Sequence, residues 1–298
     1  MDFKMDFLSK GVFDATHDNA VFVSQNVITW INAITGEQKR ITCNMSERDK
    51  YQRIQNVIFM EQGEDMRIVV NSLEELIYID PRVDTVVTRK QFPIQLSKSN
   101  SYCNRIPAIK MVKSSTGTAY LVTIKAISYD NPERSTFTIF EVTFDDIIVR
   151  VFDDHCRTNP PIYYGNIMTV DVEANSAIIW FGCAVECQMV VADCRFTSKR
   201  HGERFNRILL SVDPESGCCA WRGEWNAAGI QECDHIFITP TISGENREIF
   251  DIGLRPISTS AHVFVRGRLW FIVQSGGFDN VCFRDFDFST DTKPCVGF

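Results

Sequence analysis

The chain has 298 residues, 44% of them hydrophobic and 23% charged, a make-up that argues against disorder and suits a globular protein with a sizeable core. Its net charge of −7 argues against the basic stripe that nucleic-acid binding requires, so no nucleic acid is expected as a partner. The N-terminal MDFKMDFLSK lacks an apolar h-region, and the most apolar run, Ala177–Val185, falls far short of the roughly 18–20 residues of a membrane helix, so neither a secretory signal nor membrane insertion is expected.

Twenty-two Phe and abundant Val, Ile and Thr favour strands over helices. Ala20–Ser24 is the first β-rich run. It leads into Val27–Ile41 (VITWINAITGEQKRI), the first of five stretches in which a strand enters a short turn rich in Asp, Thr, Ser or Gly and emerges as another strand. Ser46–Ile54 is the best short helical candidate, but its charge and its place between strands mark a loop with a helical turn. Asn56–Met60 and Met66–Asn71 precede the second stretch, Leu76–Lys90, and Ile109–Lys113 and Thr118–Tyr129 precede the third, Thr138–Phe152. Ile167–Glu173, Ser176–Cys183 and Gln188–Phe196 are read as single strands before the fourth stretch, Ile208–Gly223. Ile236–Thr239 and Glu248–Ile252 fit two strands of a degraded further unit, and Arg268–Gln274 precedes the fifth stretch, Val281–Val296.

The turns have mechanical reasons. In Asp80-Pro81 and Asp213-Pro214 the carboxylate can accept from backbone N–H groups further on while Pro presets φ, and Gly36 and Gly217 supply a left-handed residue. All five are taken as hairpins between the third and fourth strands of a unit, with Asn32, Asp80, Val142, Asp213 and Asp287 equivalent. Solvent exposure of such outer strands accounts for the polar residues of QKRITC (38–43) and TVVTRK (85–90). A two-strand unit recurring at this spacing marks a radial β repeat. The expected fold is therefore all-β: a single domain over residues 1–298, a β-propeller of five or six four-stranded antiparallel blades, sealed by pairing between its β-like ends.

Val263–Val296 has a strand, a tight turn at Arg266-Gly267, a hydrophobic strand ending in Gly276-Gly277, and a strand closing on an Asp and a Ser/Thr turn. In these features the last unit resembles a kelch-type blade, although Cys295 stands where that pattern carries Trp. The other units resemble β-propellers generically. The resemblance implies a rigid disc whose face loops bind something, most often another protein.

Signals for chemistry are sparse. The five histidines are scattered, and His155-Cys156 and Cys233-Asp234-His235 are neighbours on strands, where alternate residues point to opposite faces, a poor geometry for a catalytic pair or a metal corner. Asp171 and Glu173 share one face of a strand, as in a glycosidase or cation site, or simply form a solvated strand end before the Glu-Ala-Asn-Ser turn. The 11 cysteines form no Cys-x-x-Cys and read as buried thiols of a reducing compartment, cytoplasmic or nuclear. No phosphate-cradling Gly-rich loop occurs, and no cofactor or metal is expected.

The strongest local anomaly is Thr197–Arg207 (TSKRHGERFNR), where Lys199, Arg200, Arg204 and Arg207 gather in an acidic chain. It is read as a loop between the second and third strands of the fourth unit. Arg forks carboxylates and phosphates bidentately, so these four residues are the candidate dock for a protein or an acidic or phosphorylated peptide. Trp221 and Trp225 are expected to flank that blade's outer strand and pack between blades. The expected function is a non-enzymatic interaction module. The alternatives are a hydrolase with carboxylates at the central channel, and a subunit of a larger assembly that uses aromatics such as Phe3 and Phe7.

Overall fold

The computed structural model describes residues 2–5, 12–24, 26–43, 54, 56–71, 75–83, 85–91, 108–114, 116–126, 134–157, 167–174, 176–181, 186–191, 195–199, 205–212, 219–227, 230–239, 250–251, 259–275 and 278–285. Among these residues every regular element is a strand, and the strands form six four-stranded antiparallel sheets. Strand β1 spans Asp2–Met5. The first sheet then holds β2 (Val12–Ala15), β3 (Asn19–Ser24), β4 (Val27–Asn32) and β5 (Gln38–Thr42). The second holds β6 (Asn56–Gln62), β7 (Asp65–Asn71), β8 (Glu75–Asp80) and β9 (Thr85–Gln91). The third holds β10 (Ala108–Lys113), β11 (Ala119–Ala126), β12 (Arg134–Val142) and β13 (Ile147–Arg157).

The fourth sheet is built from β14 (Ile167–Val172), β15 (Ala177–Phe181), β16 (Glu186–Val191) and β17 (Arg195–Lys199). The fifth contains β18 (Phe205–Val212), β19 (Cys219–Ala227), β20 (Ile230–Thr239) and β21 (Phe250–Asp251). The sixth takes β22 (Thr259–Val265), β23 (Arg268–Ser275) and β24 (Phe278–Asp285), and β1 completes it beside β24, with Asp2 opposite Cys282 and Met5 opposite Asp279. The expected pairing of the two chain ends is thus met by β1. The expected turn and strand beyond Asp285, Asp287–Val296, lie outside the described residues.

The first strands of the sheets neighbour one another in order. β2 lies against β6, β6 against β10, β10 against β14, β14 against β18, β18 against β22, and β22 against β2. The arrangement is propeller-like. The first three sheets are covered on both faces, so their inner strands bury apolar residues on either side: all six residues of β8 are buried, including Leu76, Ile77, Tyr78 and Ile79. One apolar cluster joins the first and second sheets through Ile28, Trp30, Phe59 and Ile68, another the second and third through Leu76, Tyr78, Leu121 and Phe140, and a third the third and fourth through Phe137, Ile139, Val170 and Ile179. A fourth joins the first sheet to the sixth through Phe22, Ile31, Trp270 and Ile272. Trp270 is fully buried; its indole N–H donates to the Thr16 carbonyl at 2.9 Å and Arg268 donates to the His17 carbonyl at 2.8 Å.

The turn chemistry acts as its residues require. Asp80 accepts from the Arg82 backbone N–H at 2.9 Å, and Asn32 Oδ1 accepts from those of Ile34 and Thr35. Gly36 lies at φ 73°, a left-handed conformation that glycine adopts without a steric penalty. Arg266 and Gly267 both have positive φ between β22 and β23, as the two-residue turns that match strand twist demand.

Three expectations about the second half are overturned. Gln188–Phe196 is not one strand: it spans β16 and β17, separated by Ala192-Asp193-Cys194, which holds neither Gly nor Pro to announce a reversal. Ile208–Gly223 is consequently the β18–β19 hairpin, the first and second strands of the fifth sheet, and not a third-to-fourth reversal. Ile236–Thr239 and Phe250–Asp251 supply that same sheet's third and fourth strands rather than a degraded further unit. Ser46–Arg53, the helical candidate but for Ile54, lies outside the described residues.

Candidate functional site

The innermost strands meet around a buried ion pair. Asp14, on β2, is 2.8 Å from the Lys113 ammonium on β10, and the same carboxylate accepts from the Phe59 backbone N–H on β6 at 2.7 Å. Lys113 also donates to the Ala15 carbonyl at 3.2 Å, while its own carbonyl accepts from the Thr169 hydroxyl on β14 at 2.7 Å. Four sheets are thereby tied together by polar groups in an otherwise apolar interior. A pair with this many hydrogen bonds can hold its charges out of water; either charge left alone would be costly. Both contacts are made by the same oxygen, Oδ2, of the Asp14 carboxylate.

The other sequence candidates part company. Asp171 is half-buried on β14, whereas Glu173 stands exposed in the following turn, where it accepts from the Ser176 hydroxyl at 3.2 Å. Glu173 therefore caps its own turn, the bland alternative. Among the described residues no group of three His, Cys, Asp or Glu is arranged to hold a metal ion, and no helix is long and apolar enough to cross a membrane. Cys43 and Cys282 are buried, and burial pushes the Cys43 thiol up. On β10, burial lowers the Lys110 ammonium from its ordinary range.

Of the basic quartet, Lys199 ends β17 and Arg207 lies in β18, while Arg200 and Arg204 lie outside the described residues. The segment joins the fourth strand of the fourth sheet to the first strand of the fifth; it is not a loop between second and third strands of one unit. The error follows from reading β16 and β17 as one strand. Trp221 and Trp225 fall on β19, the second strand of the fifth sheet, and not beside its outer strand. Phe3 lies in β1; Phe7 is outside the described residues.

Sequence reasoning missed the outer rim of the second and third sheets. The fourth strands β9 and β13 carry exposed Val86, Val87, Ile148, Val149 and Phe152, with Phe152 56% and Val149 45% exposed. Opposite residues of an antiparallel pair point to the same side. Val149 faces Phe140 and Phe152 faces Thr138 across the β12–β13 ladder, and Phe140 belongs to the cluster packed on the second sheet. Val149 and Phe152 therefore stand on the side that looks toward the second sheet, beyond the end of the shared core. From β9, Thr88 and Lys90 face back across the gap, being opposite Tyr78 and Leu76 of the same cluster.

This wedge has a fixed width near the β12–β13 turn. The Tyr78 hydroxyl donates to the Asp146 carbonyl at 2.9 Å, Lys90 lies 3.6 Å from the Asp146 carboxylate, and the Arg67 guanidinium sits over the Phe144 ring at 5.3 Å. The Ile147 N–H bonded to Asp146, with Lys90 beside it, holds that carboxyl below the usual range. Burial pushes the Tyr78 hydroxyl up, so it remains a donor. The signal was present in the letters: IIVRVF (147–152) has one polar residue in six, where the outer strand QKRIT of the first sheet has one apolar residue in five.

No protein-family model matches the chain and no curated protein matches it in sequence, so the kelch-like features of the last unit have no family-level counterpart. Among solved structures it is similar to a chain of Kuenenia stuttgartiensis hydrazine synthase, at 10% identity over 91% of this chain and 78% of that one, with a TM-score of 0.45. It is also similar to a chain of a mitotic checkpoint complex, at 7% identity over 96% of this chain and 93% of that one, with a TM-score of 0.49. At such low identity and TM-score neither likeness bears on what this chain binds.

Proposed function

We propose that the chain is a single domain over residues 1–298, a closed ring of six four-stranded blades, working as a non-catalytic protein-interaction module of the cytoplasm or nucleus. Closure is supported by β1 completing the last sheet and by the cluster that joins Trp270 to Phe22 and Ile31. A rigid ring fixes the positions of surface side chains and so lowers the ordering cost of recognition. The observation that carries the interaction role is the exposure of Val149 and Phe152 on the braced wedge between the second and third sheets. Apolar side chains clustered on a rigid frame gain most by being covered. A hydrolase is the weaker reading, because Asp14 is already neutralised by Lys113.

The basic quartet Lys199, Arg200, Arg204 and Arg207 is a second proposed contact, for an acidic or phosphorylated peptide, supported by its concentration of cations in an acidic chain. A photo-crosslinking residue placed at Phe152, at Arg204 or, as a control, at exposed Thr42 of the full chain separates these proposals in cells. The Phe152 position is expected to capture a protein that Thr42 does not, and Arg204 a second one or another part of the same one. Equal labelling at all three positions, or none, would remove the interaction role.

A further inference from the structure

The outer strand of the third sheet has a charge pattern that bears on what covers it. Its apolar stretch, Ile147 to Phe152, is flanked by Asp145-Asp146 on one side and Asp153-Asp154 on the other. Asp145 and Asp146 are both exposed, and among the described residues Asp145 has no ion-pair partner. The single charge within the stretch, Arg150, is taken up by its own sheet, with its Nε 2.6 Å from the Glu141 carboxylate. Arg150 is also the extra residue of a β-bulge, since Phe140 is opposite Val149 and Ile139 is opposite Val151.

These features decide between two occupants. A second copy pairing antiparallel along β13, centred on Val149 and Arg150, would set Asp146 opposite Asp153 and Asp145 opposite Asp154, at both ends of the ladder. Like charges directly opposite are destabilising, and the bulge further interrupts a symmetric ladder; both are devices by which edge strands avoid themselves. A partner strand with an apolar middle and cations at both ends meets neither obstacle on the charge side. Resting on the interaction role proposed above, we infer that β13 receives an extended segment of another protein, in which a short apolar stretch is flanked on both sides by Lys or Arg. The apolar residues lie beside Val149 and Phe152 in the wedge, and the flanking cations meet the two Asp pairs.

The test uses the full chain and two synthetic ten-residue peptides with the same alternating Val/Thr middle, one ended by two lysines on each side and the other by two glutamates. Replacing four unfavourable cross-strand charge pairs by four favourable ones predicts about tenfold or greater preference for the lysine peptide in fluorescence anisotropy, shrinking in high salt as screening takes hold. Phe152→Asp is expected to abolish binding of both peptides, and Asp145→Lys combined with Asp153→Lys to erase the preference, because two Asp and two Lys then flank the stretch. Equal binding of the two peptides overturns the inference. So does a dimer in sedimentation that Phe152→Asp dissolves, because it makes a second copy the occupant. Either result can coexist with crosslinking at Phe152, so the interaction role and the charge rule fail separately.

Discussion

The first and the fourth strand of the third sheet invert the usual distribution of polarity. On the first strand, Lys113 pairs with Asp14 of the first sheet among groups drawn from four sheets; on the fourth, Val149 and Phe152 are apolar groups standing in solvent. The contrast separates two jobs. Polar groups inside carry directional bonds that hold inner strands in one relation, and they tolerate burial only because every charge is answered. Apolar groups outside add nothing to the fold of the isolated chain, and their value is realised when something covers them.

Breaking the axial pair is expected to have the largest effect. Lys113→Met leaves the Asp14 carboxylate among apolar strands without its counter-charge and is expected to cost about 3–5 kcal/mol in urea unfolding. Adding Asp14→Asn to it should recover a large part of that loss, since no orphan charge then remains. A loss below about 1 kcal/mol, the ordinary value of a surface pair, would make the axial bond ornamental.

Asp80 gives an intermediate effect with a pH signature. Arg82 holds its carboxyl below the usual carboxylate range, chiefly through the side-chain hydrogen bond, and Arg67 lies 3.2 Å away. A carboxylate lowered in the folded state contributes stability that is complete above its unfolded value, about pH 4, and fades as pH falls through the lower folded value. Asp80→Asn is therefore expected to cost about 1–3 kcal/mol at pH 7, and the gap from the natural protein should close toward pH 2–3. A gap that stays constant with pH would assign the loss to packing instead. At the rim, Phe152→Asp is expected to change stability by less than about 0.5 kcal/mol, as for an exposed site. A larger loss would mean that Phe152 belongs to the core and not to a docking surface.

Strand identity was legible because it is local: apolar runs bounded by Asn32, Asp80 and Gly36 turns reappear as β4–β5 and β8–β9 with the hydrogen bonds their side chains allow. Membership of a sheet was legible only where a turn residue announced it. Where Ala192-Asp193-Cys194 separates β16 from β17 with neither Gly nor Pro, the division of the second half slipped, and the basic quartet was assigned to the wrong connection. The candidate site was less legible still. Asp14 and Lys113 are 99 positions apart, and Lys113 reads only as the end of a strand, because nothing local links the two.

The all-β character and the repeated hairpins follow from side-chain period and turn chemistry, which act over a few residues and so are written in the order of the letters. Which strands share a sheet, which charge finds which partner and which apolar residues stay uncovered depend on contacts between segments far apart in the chain. The free energy of those contacts belongs to pairs, and a pair has no meaning until the sheets have been brought side by side.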